Sequence, residues 1–175
     1  DVCSSDLAQQ LLNNEIDIGL VPVAVLPAMK EYHIVADYCI GCNGEVASVC
    51  LFSDARLHEI ETILLDYQSR TSVALLKILL KEHWKISPKL VAAEKGFEKN
   101  ISGTTAGLVI GDRAFAQRLN SAYHYDLGLA WQQMTGLPFV FAAWISNKKM
   151  TAAFIDAFNA ATGLGIQHID KIAAR

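Results

Sequence analysis

An α/β fold is what this chain predicts, on three observations. Apolar runs of strand length alternate with longer runs of helical period. Across 175 residues, hydrophobic side chains make up 52% and charged ones 19%, enough to build a packed core and too apolar for a disordered chain. No repeat or low-complexity linker interrupts the alternation, so any division into lobes must come from chain crossings.

The elements follow in order. Residues 7–13 read as a helix, and 17–22 as a strand that stops at Pro22. A short strand at 33–35 and a longer one at 46–52 come next, then a strand at 63–66. A helix over 73–80 follows, with Lys77, Lys81 and Lys85 spaced as one wet stripe and apolar residues around the rest. Strands are expected at 90–92 and 107–110, with Asp112 as the cap of a short helix. A helix at 126–134, with Asp126 favourable at its positive end, leads into a strand at 139–145. Helices at 151–162 and 166–174 close the chain.

Residues 1–7 resemble the translation of a sequencing adapter and are set aside from fold reasoning. The chain does not begin with Met and ends in what reads as a continuing helix, so a fragment of a longer protein is expected.

Composition narrows the function. The net charge is −3, and Lys and Arg are scattered without a basic stripe, which argues against nucleic acid as a partner. No apolar run approaches the roughly 18 residues of a membrane span. Of the four cysteines, Cys39 and Cys42 have ligand-pair spacing, but no second pair or suitably spaced His completes a zinc site. Cys50 reads as a small core residue, and no metal site is expected. Cysteines without a disulfide framework fit a reducing compartment, so a cytoplasmic location is expected. His33, His83, His124 and His168 fall in separate segments without a triad-like order.

Ser69-Arg70-Thr71-Ser72 carries the chemistry most visibly. It follows a strand and opens an apolar helix, where unpaired backbone N–H groups and the helix dipole favour an anion. Simple capping by Ser69 accounts for the same residues, and both readings stand at this point.

Five blocks then carry a family resemblance: Asp17-Ile18-Gly19-Leu20-Val21-Pro22-Val23-Ala24, Gly44-Glu45-Val46-Ala47-Ser48, Ser69-Arg70-Thr71-Ser72, Val109-Ile110-Gly111-Asp112, and Thr135-Gly136-Leu137-Pro138-Phe139-Val140-Phe141-Ala142. In this order they resemble the chorismate dehydratase family of the futalosine route to menaquinone. The resemblance implies a type II periplasmic-binding-protein-like fold whose two α/β lobes enclose a cleft. It places 8–47 and 142–175 in an incomplete first lobe and 48–141 in the second, with the 46–52 strand as one crossing and Ser48 at the cleft floor.

The implied activity is a lyase that dehydrates chorismate to 3-[(1-carboxyvinyl)oxy]benzoate with no cofactor, the substrate's own enolpyruvyl carboxylate serving as base. Ser48 carries over as the active-site serine, against a plain reading as a buried strand hydroxyl. Ser69, Arg70, Thr71 and Ser72 would meet a substrate carboxylate, and Pro138 and Phe139 would line the cleft, although core packing accounts for them too. An Asn that the family uses near its N-terminus has no counterpart in Asn13 or Asn14. Two alternatives stay open: the sister enzyme 1,4-dihydroxy-6-naphthoate synthase, which relies on a His, and a non-catalytic solute-binding protein of the same fold.

Overall fold

A computed structural model describes residues 4–174. Of the adapter-like stretch, residues 1–3 lie outside the described residues, and Ser4 onward is helical. The chain forms two compact units, one from residues 1–40 and 141–175 and the other from residues 41–140. It passes between them within β2 (His33–Cys42) and within β8 (Phe139–Ser146). The first crossing therefore lies in β2, not in the 46–52 segment where the sequence reading put it. Residues 41–47 belong with the second unit.

In the first unit, α1 (Ser4–Leu12) lies against β1 (Ile18–Pro22), which pairs antiparallel with β8, Ile18 opposite Ser146. Ala8, Leu11, Val21, Val25, Ala143 and Ile145 form its core, each almost fully removed from water. β2 runs ten residues where only 33–35 read as strand, because its tail, Asp37 to Cys42, alternates polar and apolar residues weakly. α5 (Ala152–Gln167) begins at the Thr151 cap, whose hydroxyl accepts from the Phe154 amide, and a short α6 (Ile169–Ala173) follows. The Trp144 and Phe158 rings meet edge-on at 4.9 Å, and Asn159 pairs with Asp37 through both side-chain and backbone atoms. Gly163 leaves room for the Tyr38 hydroxyl, which would stand 2.6 Å from a Cβ at that position.

The second unit is built on a five-stranded sheet of order β5-β4-β6-β3-β7. Its strands are β3 (Val49–Ser53), β4 (Thr62–Leu65), β5 (Lys89–Ala92), β6 (Thr105–Ile110) and β7 (Tyr123–Asp126). β3 is buried along its whole length, as an apolar run at the centre of a helix-covered sheet should be. On one face Cys50, Phe52 and Val109 pack with Phe97, Ile101 and Ala114. Leu51, Leu75, Leu76, Leu79, Leu108 and Leu127 are also fully buried, drawn from β3, β6 and the helical segments. Gly107 is needed by packing, since a Cβ there would come within 2.5 Å of the Ile101 side chain.

Three helices alternate with the strands: α2 (Arg70–Ile78), α3 (Asp112–Gln117) and α4 (Leu127–Thr135). α2 does not continue as an α-helix to residue 80. It widens into a π-helical stretch at Leu79–Trp84 and ends at Lys85 in the left-handed conformation, φ 56°. β7 was not anticipated, because its sequence Tyr-His-Tyr-Asp is too short to show a period. The 46–52 strand loses its first three residues to a turn, for a reason given below.

Candidate active site

The topology gathers several chain ends along one edge of the five-stranded sheet. β4 and β6 run parallel, β3 antiparallel to β6, and β7 antiparallel to β3. β4, β6 and β7 thus point the same way, and their last residues Leu65, Ile110 and Asp126 share an edge with the start of β3. In open α/β sheets ligands bind beyond this carboxyl edge. Ser48 lies there, immediately before Val49, half-buried, with its carbonyl accepting from the Gly111 amide at 2.8 Å. It is a turn residue and not the strand residue the sequence suggested, and its hydroxyl takes no hydrogen bond among the described residues.

The turn that presents Ser48 is unusual. Ala47 holds φ 61°, a left-handed value that costs a residue with a Cβ of the order of 1 kcal/mol or more. The Ser48 amide donates to the Val46 carbonyl at 2.7 Å, closing a three-residue turn around Ala47. The Asp126 carboxylate, 8% exposed, accepts the Ala47 amide at 2.7 Å and the Val46 amide at 3.1 Å. It also accepts the Leu129 amide at 3.0 Å, capping α4. On the carbonyl side of the turn, the Ala47 oxygen accepts from the Arg118 guanidinium at 3.4 Å and from the Cys50 thiol at 3.5 Å. Burial, then the Asp126 charge, pushes the Cys50 thiol up to about 12, so it stays protonated as a donor.

Ser69 caps α2: its hydroxyl oxygen accepts the Ser72 amide at 3.1 Å and donates to the Ser72 hydroxyl at 2.7 Å. The Thr71 and Ser72 side chains are buried, at 3% and 1% exposure, whereas Arg70 is exposed and forms no ion pair among the described residues. The loop that carries Ser69 is tied down by Asp66. Its carboxylate accepts from the Gln68 amide at 2.8 Å, the Ile110 amide at 3.3 Å and Arg113 at 2.7 Å. Burial pushes the Asp66 carboxyl up, opposed by those three donors. Arg113 also reaches Glu98 at 2.6 Å and lies over the Tyr67 ring.

Ser48 and Ser69–Ser72 are therefore brought to one sheet edge. Pro138 and Phe139 pack on α4: the Trp131 indole donates to the Pro138 carbonyl at 3.3 Å, and the Trp131 and Phe139 rings meet at 5.1 Å. Asp112 is the first residue of α3, and Gly111, at φ 65°, takes the cap position. The sequence reading missed Asp66, Arg113 and Arg118, and saw in Asp126 only a charge at a helix start. An Asp closing a strand and opening a helix was the one local signal available for the cap.

A groove of about 470 Å³ in the second unit lies elsewhere, between Lys77, Lys81, Lys85 and Pro88 beyond the far end of α2. Cys39 is exposed, Cys42 half-buried and Cys50 buried, all as free thiols. Among the described residues no group of three or more His, Cys, Asp or Glu could hold a metal ion, and no helix is long and apolar enough to cross a membrane.

Comparison with known proteins adds to the geometry. The chain is similar to the chorismate dehydratase of Thermus thermophilus, 30% identical, covering 97% of this chain and 69% of that protein. It is 28% identical to a 5'-methylthioadenosine/S-adenosylhomocysteine nucleosidase of Geobacillus kaustophilus, covering 81% of this chain and 60% of that one. Among solved structures, protein AF1704 of Archaeoglobus fulgidus matches with a TM-score of 0.62 at 13% identity, over 90% of this chain and 59% of that one. An ABC transporter of Parabacteroides distasonis matches with a TM-score of 0.53 at 18% identity, over 95% and 62%. At these identities the likeness shows the fold alone, the α/β fold of these two structures. The family model for menaquinone biosynthesis matches residues 4–175, and the chain belongs to that family.

Proposed function

We propose that the protein is a chorismate dehydratase, a lyase of the futalosine route that turns chorismate into 3-[(1-carboxyvinyl)oxy]benzoate. The observation that carries this reading is Ser48, a half-buried hydroxyl with no hydrogen-bond partner among the described residues, at the sheet edge where such folds take ligands. In the reaction the ring C–H beside the ether oxygen gives up its proton, the electron pair forms a ring double bond, and the neighbouring hydroxyl departs as water. Aromatisation supplies the driving force. The protein has to hold a dianion and align it, and no redox or group transfer is involved.

Each residue then has a role set by its surroundings. Ser48 donates to an oxygen of the substrate near the reacting carbons, and its fixed turn keeps that donor in place. The exposed Arg70 guanidinium, at the positive end of α2, is the group available to a carboxylate. Ser69 holds that helix end in shape, and Thr71 and Ser72 support it from beneath. Pro138 and Phe139 shape the wall next to α4. No cofactor enters this scheme, and a soluble cytoplasmic enzyme acting on a small organic acid is the setting it implies.

Incubating the full-length protein with chorismate and following the aromatic product tests the proposal. Ser48→Ala is expected to abolish most turnover, and Arg70→Ala to raise KM more than it lowers kcat. Binding of chorismate without any conversion would point to a solute-binding protein instead, and conversion of a cyclic futalosine derivative to the sister enzyme.

A further inference from the structure

We infer that Asp126 is the positioning residue of this site, holding Ala47 in its left-handed turn so that Ser48 faces outward from the sheet edge. The inference rests on the reading of Ser48 as the residue that meets substrate. Asp126 does more than a helix cap requires. A cap needs one acceptor for a first-turn amide, here Leu129 at 3.0 Å. Both carboxylate oxygens are also engaged by the Val46 amide, at 3.2 and 3.1 Å, and one by the Ala47 amide at 2.7 Å. These amides belong to a segment about 80 residues earlier in the chain.

The need for such a clamp follows from Ala47. A left-handed residue with a Cβ persists only where its surroundings over-determine it. Here the amide of Ala47 is held by Asp126 and its carbonyl by Arg118 and Cys50, so both ends of the strained residue are fixed. If Ala47 relaxed to an extended conformation, the chain would enter β3 straight and Ser48 would take up the alternation of the strand. Its side chain would then turn by half a pleat. The groups facing this cluster are Asp126, Arg118, Glu45 and the Cys42 and Cys50 thiols, with Arg118 bonded to Glu45 at 3.4 Å. The Arg118 Nε is buried with no partner among the described residues.

The test uses the full-length protein with Asp126→Asn, Ala47→Gly, the two combined, and Ser48→Ala as reference. Asparagine keeps one acceptor for the cap but turns an N–H₂ donor toward the turn amides. Hydrogen exchange at the Val46 and Ala47 amides is expected to speed up by about tenfold or more in Asp126→Asn, while Leu51 in β3 keeps its protection. Turnover of chorismate is expected to fall by about a hundredfold with KM little changed, the scale of a small misplacement of a reacting group. Ala47→Gly in the Asp126→Asn background is expected to recover part of kcat, because glycine takes a positive φ without the clamp.

Wild-type exchange rates at Val46 and Ala47 in Asp126→Asn would overturn the inference. So would acceleration in step with Leu51, or the absence of rescue by glycine when turnover is lost. If the wild-type protein leaves chorismate untouched, the proposed function fails, and the exchange measurement still decides the clamp. If Asp126→Asn does not fold, Ala47→Pro serves in its place: it forces φ negative and removes one amide while leaving the Leu129 cap intact. Retention of wild-type turnover in that variant would equally overturn the inference.

Discussion

Two helices, α2 and α4, start at the same sheet edge, and they start differently. α2 is capped by Ser69, whose partner Ser72 lies three residues on, and the whole device sits in four consecutive residues. α4 is capped by Asp126, whose other partners, Val46 and Ala47, lie about 80 residues away. The first start is self-contained. The second is a joint that couples the helix, the start of β3 and the turn before Ser48. A neutral hydroxyl suffices for the local task, whereas three amides converging on one point call for a carboxylate with two oxygens.

Breaking the joint should cost most. Asp126→Ala leaves three part-buried amides without their acceptor and is expected to destabilise the second unit by about 2–4 kcal/mol, from roughly 1–3 kcal/mol for each unsatisfied group less relaxation and access of water. Chemical denaturation of the variant measures this, and a loss near that of a simple cap would mean that Asp126 acts on α4 alone. Gly128→Ala attacks the same joint from the helix side. A Cβ there would stand 2.5 Å from the Cys42 sulfur and 2.6 Å from the Gly44 carbonyl, so the 42–44 loop must move. A loss of about 1–3 kcal/mol is expected, together with reduced turnover. Ser69→Ala removes the self-contained cap and should cost about 1 kcal/mol, with Ser69→Asp close to neutral.

The smallest effect concerns Cys50, which donates to both halves of the joint. Its thiol ionises at 9.0 in an unfolded chain and at about 12 in the folded one. A group whose folded value is raised contributes stability below its unfolded value and loses that contribution as pH climbs through the folded value. Stability is therefore expected to decline between pH 9.0 and about 12, and a Cys50→Ala variant to decline less steeply. At pH 8 an alkylating reagent should label the exposed Cys39 and spare Cys50, read by mass spectrometry.

The same contrast explains what could be read from the amino-acid string. Ser69-Arg70-Thr71-Ser72 was legible as a helix start because a cap and its helix are neighbours in sequence, and the α/β alternation was legible because each run carries its own period. The end of the apolar run 46–52 was misread. Its residues look like strand, yet Ala47 is pulled into a turn by a carboxylate that no window around it contains. The sequence points to Asp112 for the cap that Gly111 holds, since a glycine at φ 65° leaves no side-chain signature. The crossing into the second unit was displaced for a related reason: β2 continues to Cys42 through residues without clear alternation. Pro138 and Phe139 came to notice through the family resemblance, and their packing on Trp131 depends on a ring contact that spacing does not reveal.

The separation of about 80 residues between Asp126 and its amide partners also bears on how the molecule is made. Val46 to Ser48 leave the ribosome long before Asp126 does, and until β7 has paired with β3 the Val46 and Ala47 amides lack the carboxylate that fixes that side of the turn. Competence at Ser48 is thus one of the last properties the second unit acquires during synthesis. A nascent chain stopped short of residue 126 could complete α2 and its cap and still lack an ordered serine.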